Sequence, residues 1–257
     1  MIKTCRALFV LFKVLWKRRN LVIAIMSAYG WFVYKQLGKR NKAIVNKDTI
    51  EWLLYLVTNK KIEITKYENL EILNDYRMND ISNDDVVLDI GAGAGLYSLL
   101  VSQIVKKVYM IEPDIPFYEY VCNNPKIEIW ENVSFGKQGK LVKSDYWNGR
   151  EVINVGIDLE HILENHEDIT IVKCDCEGCE WDGFLSCNDF KNIRIINMEY
   201  HTNKKDDIKQ LLSLLEKHGF TCNIKQKQSS KFDYIGILYA NAKLKTEKNK
   251  EGEKKCY

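Results

Sequence analysis

Val86-Val87-Leu88-Asp89-Ile90-Gly91-Ala92-Gly93-Ala94-Gly95 is the stretch on which the reading of this chain turns. Its first half is a short β-branched apolar run, the pattern of a strand buried on both faces of a parallel sheet. Its second half holds three glycines, which let the chain turn sharply and approach a ligand closely. Leu96–Val105 then resumes apolar residues at helical spacing, so the segment reads as strand, glycine loop and helix. Asp89 stands just before the first glycine, where a carboxylate repels a pyrophosphate and favours a cationic ligand group.

The same alternation extends downstream. Val108–Ile111 reads as a strand ending in Glu112, whose two acceptor oxygens suit the vicinal hydroxyls of a ribose, and Pro113 stops that strand. Pro116–Cys122 reads as a helix, Lys126–Trp130 and Val152–Val155 as strands, and Ile157–Leu163 as a short helix. Ile169–Cys176 and Ile193–Glu199 are further strands, Asp206–His218 a helix closed by Gly219, and Tyr234–Ala240 the last strand. Strands separated by helices imply an α/β, Rossmann-like, doubly wound and mostly parallel sheet, with ligands at the carboxyl ends of its strands.

In such a sheet Asp89 suits the sulfonium and α-amino group of S-adenosylmethionine, directly or through water, which is the arrangement of a class I methyltransferase. Asp89, Gly91, Gly93, Gly95 and Glu112 are then the cofactor-binding residues. Two other classes stay open: a nucleotide-dependent oxidoreductase using the same loop, and a membrane-peripheral binding module that kept the fold without catalysis. Nucleic acid has no compositional support, because a formal charge of +3 is small and much of the basic excess lies at the two ends.

Residues 1–60 form a basic, aromatic-rich helical extension in which Asp48–Thr58 has helical spacing with Asp48 as N-cap. Residues 61–242 form the catalytic domain, and the lysine-rich 243–257 is expected to be disordered. Ala7–Trp16 and Leu21–Tyr34 are apolar, but Lys13 and Lys17-Arg18-Arg19 interrupt them before the roughly 20 residues a span needs. A helix in the headgroup region is the form that peripheral membrane contact would take. The eight cysteines are irregularly spaced and fit a reducing compartment, so the expected location is cytoplasmic, with or without membrane association.

Lys173-Cys174-Asp175-Cys176-Glu177-Gly178-Cys179-Glu180 is the second unusual segment, because it puts a lysine and three acids at the end of a central strand. Lys173, Asp175 and Glu177 share one strand face, and Gly178 lets the chain turn. The segment resembles the Lys-x-Asp-x-Glu-Gly-x-Glu signature of the FkbM family of S-adenosylmethionine-dependent methyltransferases. The resemblance continues through Ile157-Asp158-Leu159, Met198-Glu199-Tyr200-His201, Gly219-Phe220 and Gly236–Ala240, and covers residues from Tyr67 to Ala240. It implies O-methylation of a hydroxyl on a sugar, glycan or small-molecule acceptor, with Asp175, Glu177, Glu199 and His201 as catalytic candidates. Lys173 and Glu180 hold substrate or structure: a structural reading pairs Lys173 with an acid and lets Glu180 cap the following helix.

Family members often carry an asparagine where this chain has Gly93-Ala94, and Asn123–Asp145 matches loosely, leaving Asn132 and Asp145 as weak candidates for adenine contacts. Cys174, Cys176 and Cys179 with His161, His166 or His201 lack the paired spacing of a zinc site and read as core filler. Asp175 with Glu199 is the pair that a divalent ion orienting a diol would use, but no resident metal is expected. Trp52, Trp130, Trp147 and Trp181 read as core residues, and Tyr146-Trp147-Asn148-Gly149 as a loop able to cover a substrate.

Overall fold

The computed structural model describes residues 76–93, 95–113, 119–130, 133–145, 151–227 and 232–243. The N-terminal extension, the Asp48–Thr58 helix, Ala94, Asn132, the loop Tyr146–Gly149 and the tail beyond Lys243 lie outside the described residues.

In chain order the elements are β1 (Val86–Ile90), α1 (Leu96–Ser102), β2 (Lys107–Ile111), α2 (Glu119–Cys122), β3 (Ile127–Trp130), β4 (Val133–Phe135), β5 (Leu141–Asp145) and β6 (Glu151–Ile157). They continue with α3 (Leu159–Asn165), β7 (Ile171–Cys174), α4 (Glu180–Phe184), β8 (Ile195–Thr202), α5 (Lys205–Lys217), β9 (Phe220–Lys227) and β10 (Tyr234–Ala242). The main sheet of the described residues runs β3-β2-β1-β7-β8-β10-β9. Its first five strands are parallel, whereas β10 runs antiparallel to both β8 and β9. This is the mostly parallel, Rossmann-like sheet the sequence implies.

Strand order reverses at β1, which lies between β2 and β7. In an open α/β sheet the crevice at such a switch point is where ligands sit, because loops from neighbouring strands leave in opposite directions there. β1 is buried throughout, Asp89 included, and the burial continues into Leu96, Leu99 and Leu100 of α1. The register sets Asp89 beside Lys173, and Lys173 in turn beside Asn197. Three polar side chains therefore stand in a row across the middle of an otherwise apolar sheet.

Three parts of the fold depart from the sequence reading. Phe220–Lys227 is an edge strand, not a connection, and Tyr234–Ala242 folds back along it. Val133–Phe135 and Leu141–Asp145 are strands too, joined to β6 in a separate small sheet of order β4-β6-β5. Ile169–Cys176 is also shorter than expected, its strand ending at Cys174 so that Asp175 begins a loop.

At the amino ends of the strands Asp85 ties three segments together. Its carboxylate accepts from the backbone and hydroxyl of Ser82 at 2.6 and 2.8 Å, from the Thr170 hydroxyl at 2.8 Å, and from Nε and an Nη of Arg194. Burial opposes ionisation, but the Arg194 guanidinium and the serine and threonine donors outweigh it and bring the carboxyl down to about 2. A depressed folded-state value stabilises the fold above the ordinary carboxylate range and loses that stabilisation as pH falls toward the folded value. Asp85→Asn is expected to lower stability at neutral pH by about 2 kcal/mol. It should also flatten the fall in stability between about pH 4 and pH 2 in denaturant titrations.

Candidate active site

A cleft of ≈ 680 Å³ opens at the carboxyl edge of the sheet, on the β1 switch point. Gly91, Ile111, Glu112 and Pro113 line one end, and Asp175, Cys176, Glu177, Gly178 and Cys179 the other. The end of β4 and the turn that leads to β5 supply a third wall through Phe135, Lys137 and Lys140.

Each glycine of the loop has its own reason. Gly91 has φ 68° and packs against the chain leaving β7: a Cβ there would run into the carbonyl oxygen of Asp175. Its smallness thus serves the protein's own backbone, where the sequence reading assigned it to a ligand. Gly95 has φ +86°, and a Cβ would press on both γ-methyl groups of Val121 at 3.0 Å. Gly93, with φ +55°, has nothing within 4 Å of a Cβ position, so open space lies beyond the loop apex. Its N–H donates to Glu112 Oε2 at 2.7 Å, which fixes the acid of β2 against the loop.

Asp89 is not in the cleft. Its side chain is fully buried, accepts from the Ser98 hydroxyl at 2.6 Å and sits 3.0 Å from Lys173 Nζ, a close ion pair without the alignment of a hydrogen bond. Lys173 Nζ donates to the Gly91 carbonyl at 2.8 Å and lies 3.4 Å from that of Ile90. The rings of Tyr76 and Tyr97 flank the ammonium at 5.3 and 5.8 Å. Burial disfavours this cation, but Asp89 and then Asp175 outweigh burial and raise its pKa. The structural pairing of Lys173 with an acid is therefore what the fold contains, and Asp89 is linked to the loop through that lysine.

At the other end of the cleft the predicted acids come together, but at different depths. Asp175 and Glu177 line the cleft; Glu199 and His201 do not. Asp175 is anchored by its N–H to the Ile90 carbonyl at 3.0 Å, and its Oδ2 accepts from Tyr76 Oη at 2.8 Å. Burial, then the charge of Asp175, push the Tyr76 phenol well up, so it stays a donor. Glu177 takes a left-handed conformation, φ 56°, followed by Gly178 at 111°. Cys176 and Cys179 pack against the core but are joined by a disulfide around this turn, so the expectation of reduced cysteines fails for this pair. Cys174 does fill the core.

Behind the carboxylates His201 Nδ1 lies 2.8 Å from Oε1 of Glu180, and both side chains are almost fully buried. Burial lowers the imidazole pKa, but the Glu180 hydrogen bond prevails and raises it to about 8. Glu180 is thus a partner of His201 more than a helix cap. Glu199 Oε2 accepts from Lys227 Nζ at 2.8 Å, while burial and then Asp175 raise its pKa. Tyr76, Phe135 and Phe232 went unread in the sequence; Tyr76 meets Asp175 across 99 residues, and no local pattern signals such a contact.

The sheet order and the cleft at its switch point define a class I methyltransferase fold. The model of the methyltransferase FkbM domain matches residues 89–222, more than half of the 257 residues, and the chain belongs to that family of S-adenosylmethionine-dependent methyltransferases. A stretch of 70 residues is 36% identical to the uncharacterized protein MJ1452 of Methanocaldococcus jannaschii, spanning 27% of this chain and 27% of that protein. Among solved structures, a precorrin-6y C5,15-methyltransferase of Geobacter metallireducens is similar at TM-score 0.42 and 16% identity, covering 69% of this chain and 90% of that one. The M. jannaschii protein TYW2, in complex with AdoMet, is similar at TM-score 0.41 and 15% identity, over 69% of this chain and 77% of that one. Among the described residues no helix is long and apolar enough to cross a membrane.

Proposed function

We propose that this chain transfers a methyl group from S-adenosylmethionine to a hydroxyl of a sugar, glycan or small-molecule acceptor. The observation that carries the reading is one cleft with a glycine loop and Glu112 at one end and Asp175 and Glu177 at the other. The residues fit the donor: Glu112 offers a carboxylate at the mouth, and the open space beyond Gly93 leaves room for a ligand against the backbone. A cleft of ≈ 680 Å³ is of the size that small-molecule sites occupy. Bound there, S-adenosylmethionine supplies an electrophilic methyl on a sulfonium.

The chain's own residues supply alignment and proton handling. Lys173 and Asp89 hold the loop rigid, which is how a fixed scaffold lowers the barrier of a two-substrate step. Asp175, at the cleft wall, accepts the acceptor hydroxyl's proton as that oxygen attacks; its second oxygen is held by Tyr76, so the carboxylate is oriented. Glu177 positions the acceptor from the same wall, while Glu199 and His201 set the charge behind it.

The acceptor is tested by incubating the protein with methyl-labelled S-adenosylmethionine and fractionated cell extract. Label is expected in glycans or small metabolites as an ether, stable to mild base. Label lost to mild base, as from a carboxyl ester, or recovered in nucleic acid, would contradict the assignment.

A further inference from the structure

We propose that Cys176 and Cys179 form a redox site: the bond between them is made and broken by exchange with a thiol that reaches it through the cleft, and its state decides how firmly the turn carrying Glu177 is held. The two bonded cysteines are three residues apart in sequence. Both are half-buried and line the cleft beside Asp175 and Glu177, so a small thiol entering the cleft meets the bond.

Its placement argues for a local role. Among the described residues the other cysteines, Cys122, Cys174, Cys187 and Cys222, carry free thiols, so the fold does not rest on disulfides. A bond closing a loop of a few residues restricts the unfolded chain far less than a long-range one, and stapling the fold is not its main effect. What it does constrain is the pair of residues it spans. Glu177 and Gly178 both have positive φ, 56° and 111°. Glycine adopts that conformation freely, whereas the Cβ of a glutamate crowds the following carbonyl there. With the bond closed, Glu177 is held in this conformation at the cleft wall. With the bond open, the backbone relaxes out of the left-handed region and carries the side chain with it.

The exchange balances with a thiol as its one co-reactant. A thiolate attacks one of the two sulfurs and forms a mixed disulfide, while the other cysteine leaves as a thiolate and takes up a proton. A second thiolate then removes the first as a disulfide of the reductant, and the second cysteine is protonated in turn. Two thiols are oxidised, and Cys176 and Cys179 are both reduced to S–H. Cys174 Sγ lies 3.7 Å from Cys176 Sγ, near enough to compete for the bond. Burial, then the charge of Glu180, push the Cys174 thiol well up, so it stays protonated and leaves the bond to its two partners. What the switch does to methyl transfer rests on the proposed reading of the cleft; whether the pair exchanges does not.

The test uses the full-length chain, equilibrated in mixtures of reduced and oxidised dithiothreitol and then trapped with N-ethylmaleimide. Mass spectrometry is expected to show Cys176 and Cys179 gaining and losing the label together, with the far-ultraviolet circular dichroism unchanged. Glutamyl endopeptidase then reads the turn, because the Glu177 side chain is 56% exposed and cleavage needs local opening. Cleavage after Glu177 should be about 10-fold faster in the reduced chain, and Cys179→Ser should be cut at that faster rate in either buffer. If Cys179→Ser fails to fold, the two states of the wild-type chain carry the test. S-adenosylhomocysteine binding, measured on the same samples, separates this inference from the function: a reversible pair in a chain that binds no homocysteine supports the redox site and contradicts the enzyme. Both thiols labelled whatever the oxidant, reduction only where the chain unfolds, or equal cleavage in the two states overturns the proposal.

Discussion

Asp175→Asn is expected to lower the single-turnover rate of methyl transfer by about 10²-fold or more, while affinity for S-adenosylhomocysteine stays within a few-fold of wild type. The substitution keeps the shape and can still accept the Tyr76 hydrogen bond, so the local fold survives. It removes the carboxylate that lines the cleft where β7 meets the glycine loop. The effect belongs in the chemical step because Asp175 lies at the acceptor end, away from Glu112. Equal losses of rate and donor affinity would instead mean that Asp175 only shapes the loop.

The largest effect on stability is expected from Lys173→Met. The lysine neutralises Asp89, which has no exposure, and caps the carbonyl of Gly91 at the turn into the loop. Removing one partner of a buried pair leaves the other charged in an apolar sheet, which costs about 3–5 kcal/mol. For a domain of this size that is a fall of roughly 10 °C in Tm. Adding Asp89→Asn in the same chain should restore much of the loss, since the stranded charge is then gone. A Lys173→Met protein as stable as wild type would show that the pair does not hold the sheet together.

What the sequence made legible follows from which interactions are local. The β1 run and the spacing from Asp89 to Gly95 encode a strand, a turn and a helix within ten or so residues, and those elements form where the pattern places them. The shared strand face expected for Lys173, Asp175 and Glu177 is not formed, because the strand stops at Cys174 and the two acids follow it on a loop, with Glu177 left-handed. Phe220–Lys227 was missed because it is an edge strand with one buried residue, Phe220, and polar residues on both faces; no apolar period marks it. The β4–β5–β6 sheet was only partly seen, since Leu141, Ile153 and Val155 are exposed there.

At the site the residue types were readable and their depths were not. Asp89 was read as a ligand contact because an acid before a glycine loop suits a cation; the cation it meets is Lys173, brought alongside by the parallel register of β1 and β7. Gly91 was read as a cofactor contact; it lines the cleft, and the Asp175 carbonyl occupies the place where a Cβ would stand. Both placements have one cause: pairing between strands more than 80 residues apart puts the second constellation against the first. Glu180 was read as a cap, and the return of β8 makes it the partner of His201.

Isothermal titration of the full-length chain with S-adenosylhomocysteine tests most directly whether this cleft holds the methyl donor. One site per chain is expected, with Glu112→Gln lowering affinity about 10-fold through the lost charge-assisted bonds to the ribose. No heat from the wild-type chain at millimolar ligand, or equal binding by Glu112→Gln, would contradict it.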